Sequence, residues 1–156
     1  MTSHAPERVA EAAEALTVAR FSLTIDGVEI AQFSELIELT SGLDPSTLTL
    51  AQDKEGTLGL KKLPGKRKPP TVTLKRAKTK DLAVFEWHHD AFVRGAQARR
   101  PCTLTMYATD GQPTAKYYLE NAWPAKIEIS GLKAGASEVL YETVTLVCEN
   151  VERVDP

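Results

Sequence analysis

The chain has 156 residues, of which 42% are hydrophobic and 26% charged, the composition of one ordinary globular domain. Two cysteines exclude a disulfide scaffold, and no apolar run approaches the roughly 20 residues of a membrane-spanning helix. The first residues lack the pattern of a signal peptide and the net charge is only −2, so we expect a soluble protein made in the cytoplasm that is no general nucleic-acid binder.

An arm over residues 1–19 comes first, and it forms either a short Ala- and Glu-rich helix over residues 7–19 or a loose extension. Two alternating apolar runs then flank Asp26-Gly27, which is the strongest short signal for a β-hairpin. A two-residue turn would pair Ile25 with Val28 and Leu23 with Ile30, both on one face of the hairpin. The second strand is expected to continue toward Leu39.

Residues 40–70 are predicted to form a long loop. They contain eight Gly or Pro residues and show no hydrophobic period. Loops of this length are uncommon in compact domains, and they are usually functional or disordered. The sequence therefore predicts a functional connection here.

The positive charge of the chain is concentrated in and just after this loop. Residues 57–80 hold nine bases and no acid, whereas the segments before and after them are acidic overall. Such an asymmetry suits contact with an acidic partner, which could be nucleic acid, another protein or another copy of the chain. A solvated basic loop without a partner is the alternative.

A strand over residues 71–76 and a helix over residues 80–94 follow. Two neighbouring apolar stripes at helical spacing predict that the helix buries a broad face. The first stripe consists of Leu82, Phe85, His89, Phe92 and Ala96, and the second consists of Val84, Trp87 and Ala91.

Further strands are predicted at residues 101–109, 116–121, 126–130 and 138–151, which makes the fold α+β and mainly β. Threonines alternate with apolar residues in three of the strands, at Thr71, Thr73, Thr103, Thr105, Thr143 and Thr145. Threonine fits a pleated, half-wet sheet surface. The pattern indicates either the solvent side of a sandwich or a wall facing a water-filled space.

No constellation of catalytic or cofactor-binding residues is recognisable. Gly59 and Gly65 are wrongly spaced for a phosphate-binding loop, and the common hydrolase and metalloprotease motifs are absent. Neighbouring side chains at residues 88–90 point about 100° apart on a helix and would grip a metal poorly. We expect no enzyme, metal or cofactor, and we expect Cys102 and Cys148 to be buried free thiols.

Three groups of motifs occur in a characteristic order along residues 20–154. The first group is the hairpin region from Phe21 to Leu36 and Ser41-Gly42-Leu43. The second group is Lys62-Leu63-Pro64-Gly65, the strand from Thr71 to Arg76, Asp81-Leu82 and Trp87. The third group is Tyr118 to Pro124, Glu138-Val139, Glu142-Thr143 and Glu149 to Val154. In this order the motifs resemble the inner tube proteins of contractile phage tails and related contractile injection systems.

The resemblance implies a tail-tube domain over residues 20–154, with two packed antiparallel sheets in a barrel-like sandwich and one flanking helix. It implies a hexameric ring whose strands join into a continuous β-barrel around a lumen. The candidate lumen face consists of Thr71, Thr73, Thr143 and Thr145. The loop would contact a neighbouring ring or subunit through Lys61, Lys62, Leu63, Pro64, Gly65, Lys66, Arg67 and Lys68.

The function implied is that of a structural subunit of an inner tube, which a contracting sheath propels outward with cargo in its lumen. The implied partners are further copies of the chain, a sheath protein, a baseplate hub or tube initiator, spike and terminator proteins, and a cargo effector. No membrane insertion is expected. Assembly is expected in the cytoplasm, and the particle is either released or attached to a membrane.

Two other functions remain open. A tube initiator or baseplate adaptor would share the fold but would be present in few copies per particle. A nucleic-acid-binding module is the alternative from another class, although residues 57–80 lack aromatic side chains for base stacking. The arm and the segment at residues 37–40 depart from the shortest family members, which leaves the role of the arm open.

Overall fold

The computed structural model describes residues 18–49, 59–131, 134–135 and 139–156. Most of the predicted arm, at residues 1–17, and the middle of the predicted loop, at residues 50–58, lie outside the described residues. The division of the chain into an arm and a tail-tube domain therefore stays a prediction.

Eight strands and one α-helix make up the described part of the chain. The strands are β1 (Arg20–Ile25), β2 (Val28–Phe33), β3 (Glu35–Thr49), β4 (Leu60–Ala77), β5 (Arg100–Tyr107), β6 (Pro113–Ser130), β7 (Tyr141–Val147) and β8 (Asn150–Val154). The helix α1 (Ala83–Arg94) lies between β4 and β5, and a 3₁₀ turn (Gly95–Ala98) follows it. The prediction of a mainly β chain with one helix is confirmed.

All eight strands belong to one antiparallel sheet. Its order is β2-β1-β5-β6-β7-β4-β3, and β8 pairs with β6 beside this path. β6 is 18 residues long and is shared, because its first half pairs with β5 and β8 and its second half pairs with β7. The resemblance implied two packed sheets, whereas pairing through β6 joins all the strands into one sheet, which does not close into a barrel within the described chain.

The core lies where apolar side chains from both halves of this sheet meet in a single cluster. Its largest fully buried side chains are Leu23, Leu74, Leu104, Leu119 and Leu146. Burial of each leucine stabilises the fold by about 1.5–3 kcal/mol relative to leaving it exposed. One buried ion pair crosses between β4 and β7, where Arg76 Nε donates to the Glu142 carboxylate at 3.0 Å.

α1 buries only one of its two apolar stripes. Val84 and Trp87 are buried, and Trp87 Nε1 donates to the Ala98 carbonyl at 2.7 Å. The other stripe, from Leu82 to Ala96, faces outward, and Phe92 is 80% exposed. The prediction that the helix buries a broad face is therefore wrong, because the described chain supplies no layer over that side.

Candidate assembly surfaces

β3 and the first half of β4 form a two-stranded ribbon that leaves the rest of the sheet. Residues 42–49 pair with residues 60–68 in antiparallel register. β7 joins β4 only from Thr71 onward, so β3 is the only strand partner of residues 60–68 within the described chain. We call residues 42–49 and 60–68 the ribbon.

The irregular loop predicted over residues 40–70 is therefore wrong for the part of that range that the structure describes. The strand pair accommodates its glycines and prolines through register shifts, which occur between Thr40 and Gly42 and between Leu43 and Pro45. Pro45 lies opposite Pro64. Proline lacks a backbone donor and is tolerated at strand edges and bulges, and both conditions hold in a ribbon of two strands.

All eight predicted contact residues lie on the β4 strand of the ribbon. Seven of them are exposed and Gly65 is half-buried. Lys68 is paired within its own ribbon, since its Nζ lies 3.1 Å from the Asp44 carboxylate. A pair this exposed contributes about 1 kcal/mol or less to stability. The structure brings the predicted residues together on one projecting element, and their contacts with a partner stay a prediction.

The ribbon also exposes leucines, of which only Leu63 was predicted from the sequence to be a contact residue. Leu60 is 71% exposed, Leu43 53%, Leu48 46% and Leu63 38%. Exposed apolar side chains grouped among charged ones are typical of interaction surfaces. Their grouping could not be found before the strand register was known, because residues 43–48 had been assigned to an irregular loop.

The four threonines predicted to face a lumen lie on one face of the sheet. Thr73 is the register partner of Thr145, with their hydroxyl oxygens 3.4 Å apart. The Thr71 hydroxyl lies 2.8 Å from that of Thr40 on β3. Thr143 precedes Thr145 by two residues and so shares its face. The opposite face of these strands is part of the core.

Charged side chains continue the threonine face on both sides. β3 contributes Glu35 and Glu38, β4 contributes Lys75, and β6 contributes Lys126 and Glu128. The Lys75 Nζ lies 4.0 Å from the Glu35 carboxylate, and Lys126 is paired with Glu128. The face is therefore hydrophilic, and most of its charge is balanced within the subunit.

The other two threonines of the sequence pattern, Thr103 and Thr105, do not belong to this face. They lie on β5, in the half of the sheet that also holds β1 and β2. Thr105 is 5% exposed, so it cannot form part of a wet wall. Of the three strands that carry the threonine pattern, β4 and β7 thus contribute to this face and β5 does not.

The two strands at the ends of the sheet path, β2 and β3, each leave one edge without a strand partner in the described chain. A free strand edge is a template for pairing with another chain. Only Ser34 separates these two strands in sequence, and its backbone N–H and hydroxyl both donate to the Lys75 carbonyl, at 3.0 and 3.2 Å.

The remaining polar groups are arranged for packing. Cys102 and Cys148 are buried free thiols, as predicted, and His88 Nδ1 lies 2.7 Å from the Pro124 carbonyl oxygen. Among the described residues, no His, Cys, Asp or Glu side chains gather in a group able to hold a metal ion. None of the helices described is long and apolar enough to cross a membrane.

A cleft of about 400 Å³ separates the β1–β2 turn from α1. Ile25, Ile30 and Trp87 form its apolar walls. Asp90 and Arg94, which also line the cleft, form a bidentate salt bridge. The hydrogen bonds from Arg94 hold the pKa of the Asp90 carboxyl below its usual range. A charge pair satisfied in this way is typical of a structural contact.

The sequence matches the family model described as T4-like virus tail tube protein gp19 over residues 17–152. Among curated proteins, none matches the chain significantly.

Several solved structures contain a chain with a similar fold. A chain of the PVC sheath–tube complex in its extended state, from an extracellular contractile injection system, is 19% identical with a TM-score of 0.67, and both chains are covered completely. A chain of the anti-feeding prophage baseplate is 15% identical with a TM-score of 0.65, covering 90% of this chain and 95% of its own. A chain of the anti-feeding prophage tube-terminating cap is 21% identical with a TM-score of 0.62, covering 92% and 93%. At these identities the matches show a shared fold.

Proposed function

The chain belongs to the T4-like virus tail tube protein family and is a structural tube subunit. We propose that six copies form a ring and that stacked rings form the inner tube of a contractile injection particle. One observation carries the proposal. Within the described residues the sheet is open, β2 and β3 each have an edge without a strand partner, and the ribbon extends beyond the rest of the sheet. Pairing with neighbouring copies would complete the sheet into a closed barrel and remove its edges.

The threonine face supplies the wall that such a barrel needs. In the assembled ring, Thr71, Thr73, Thr143 and Thr145 would face the lumen, while the apolar side of the same strands stays in the core. Hydroxyl groups keep a wall wet without adding charge. The mutually paired lysines and glutamates beside them would leave a nearly neutral passage for cargo.

The ribbon supplies contacts between rings or subunits. It carries Lys61, Lys62, Lys66, Arg67 and Lys68, and the chain on either side of residues 57–80 is acidic overall. Opposite charges on two parts of one chain favour contact between copies, and they set register more than affinity. Unlike contact surfaces also allow rings to close in the plane and to stack without limit along the axis.

We extend the proposal to partners and location. The similar chains come from sheath–tube, baseplate and terminating-cap complexes, which supports a sheath protein, a baseplate hub and a terminator as partners. Spike proteins and a cargo effector in the lumen follow from the same role. The subunit would assemble in the cytoplasm, in a particle that is released or attached to a membrane, and would have no catalytic activity.

Electron microscopy and mass photometry of the concentrated, purified protein test this function. Rings with a central hole, at six times the 17.1 kDa subunit mass, are expected. A tube initiator or baseplate adaptor would give similar rings, so the abundance of the chain relative to sheath protein in intact particles separates them. A chain that stays monomeric at every concentration and is missing from the particle's tube contradicts the proposal.

Charge reversal on the ribbon provides the first mutational prediction. Changing Lys66, Arg67 and Lys68 to Glu should prevent most stacking, since repulsion replaces attraction between copies. The melting temperature should change by less than about 3 °C, because exposed charges contribute little to folding. Sedimentation and electron microscopy give the tube yield.

The matched control places the same charge change elsewhere. Lys78 and Lys80 are exposed and lie outside the ribbon, so K78E/K80E matches in charge the double ribbon variant K66E/R67E, which should also lose much of its stacking. The control should form tubes normally. A ribbon variant that fails to fold, or that stacks as well as the control, removes the ribbon charges from the interface.

A further inference from the structure

Gly65 lies where the ribbon becomes irregular. Leu43 pairs with Arg67 and Pro45 pairs with Pro64, so two β4 residues, Gly65 and Lys66, stand opposite the single β3 residue between those pairs. This two-against-one arrangement is a β-bulge, which bends a strand pair and increases its twist. The bulge therefore sets the direction in which the outer part of the ribbon leaves the subunit.

Only glycine fits this position. A Cβ atom on Gly65 would lie 2.5 Å from the Asp44 carbonyl oxygen and 3.0 Å from the Ser46 Cβ. Both atoms belong to the rigid part of the opposite strand, so a side chain at position 65 must displace that strand. Gly42, on the same ribbon, is different, because its Cβ would meet only the Lys68 Cδ at an ordinary 3.8 Å.

The part of the ribbon beyond the bulge, residues 45–48 and 61–64, carries an apolar and basic face. Leu48 pairs with Lys61 and Ser46 pairs with Leu63, so Leu48, Lys61 and Leu63 share one face. Leu48 is 46% exposed and Leu63 38%. An isolated two-stranded ribbon is only marginally stable in water, so contact with a partner would stabilise it.

The partner that best fits this face is a second copy of the chain. A basic and apolar surface calls for an acidic surface with apolar side chains, and the chain is acidic outside residues 57–80. The chain also exposes a separate apolar surface on α1, where Phe92 is 80% exposed. Two unlike surfaces on one chain suit head-to-tail repetition rather than a symmetric dimer.

Resting on the tube function above, we propose that the Leu48–Leu63 face docks on a second copy and that Gly65 is the positioning residue that aims it. The bases beside the bulge act together with this face, through the charge attraction described above. Docking geometry then depends on Gly65 through the bend that its bulge gives the ribbon.

Gly65→Ala and Gly42→Ala form a matched pair of variants that tests the positioning role. Both add one methyl group to the ribbon. Gly65→Ala should form rings and keep its melting temperature within about 3 °C, because the bulge lies outside the core. It should give about tenfold fewer tubes, or tubes with a changed axial repeat. Gly42→Ala should form tubes of wild-type yield and repeat.

The double variant Leu48→Ser/Leu63→Ser tests the docking face with the bulge intact, and it should also form rings that do not stack. Normal stacking by Gly65→Ala, or a collapse of its melting temperature, overturns the positioning role. Normal stacking by the leucine variant overturns the docking face. Wild-type protein is measured alongside the variants. If wild type forms no rings, the proposed tube function is wrong. If wild type forms tubes and the variants form them equally well, only this inference is wrong.

Discussion

Two single residues, Cys102 and Cys148, show how burial governs side-chain chemistry in this core. Burial raises the pKa of Cys102 to about 12, with a smaller contribution from Cys148 nearby, and burial raises the pKa of Cys148 to about 11. The reactive form of a cysteine is the thiolate. Both thiols therefore stay protonated and inert at neutral pH.

This leads to a prediction about pH and stability. The folded pKa of each thiol lies above its ordinary value of 9.0, so the unfolded chain loses these protons first as the pH rises. The thiols' contribution to the free energy of unfolding is fully present below pH 9 and is lost as the pH rises toward 11 to 12. Urea unfolding of wild type at pH 8 and at about pH 10.5 measures the loss.

Cys102→Ala is the control, because it removes the thiol with the larger shift and should show a smaller decrease in stability over the same pH range. Ellman's reagent should label neither thiol of the folded protein at pH 8 and both after unfolding. Rapid labelling of the folded protein would show that the thiols are not buried.

At the scale of elements, the two sides of α1 should respond differently to substitution. Trp87→Ala should lower the free energy of unfolding by about 3–5 kcal/mol, since Trp87 is buried and its indole N–H donates a hydrogen bond to the Ala98 carbonyl. Phe92→Ser should change it by less than about 0.5 kcal/mol, because Phe92 is 80% exposed. Urea unfolding of the unassembled subunit measures both. A large loss with Phe92→Ser would show that part of the chain covers the outward stripe.

The hairpin of β1 and β2 shows what the sequence can predict. Asp26 and Gly27 have positive φ angles of 50° and 78°, as the turn requires, and Ile25 pairs with Val28 as expected. The turn residues and the apolar alternation were both local, so they could be read directly. The expected pairing of Leu23 with Ile30 is wrong, because a register shift after Leu23 places it opposite Ala31. Such a bulge depends on how the two strands pack and could not be predicted from the sequence.

The ribbon and α1 show where sequence reasoning fails. The glycines and prolines of residues 42–68 suggested an irregular loop, whereas cross-strand pairing holds most of the described part of this segment in strands. Helical spacing gave both stripes of α1 but could not tell which one meets the sheet. In both cases the deciding contact is with a distant part of the chain or with another chain. The contact role of the ribbon residues and the lumen role of the threonines, which the resemblance implied, stay predictions.

At the scale of the whole molecule, the assignment of the lumen face can be tested with cysteine probes. Thr73→Cys and Thr145→Cys place thiols on the threonine face, and the buried native thiols do not compete. Before assembly, both probes should react with a small maleimide and with a bulky polymer-linked one. In assembled tubes only the small reagent should diffuse along the lumen and react.

A probe on the outward stripe of α1, such as Phe92→Cys, distinguishes the lumen from other buried surfaces. It should differ from the threonine probes in its reaction with the bulky reagent after assembly. If the threonine probes react with the bulky maleimide as fast in tubes as in free subunits, the face lies outside the tube and the lumen assignment is wrong.

The link through Ser34 has a mechanical consequence. β2 and β3 end the sheet path, yet a single residue joins them, and both donors of that residue are anchored to the Lys75 carbonyl. The two ends of the sheet path are therefore held to each other and to β4 by one short link. Lengthening this link by a few glycines would leave every strand its partners and yet make the subunit easier to deform, because a longer loop lets the two ends of the sheet path move apart.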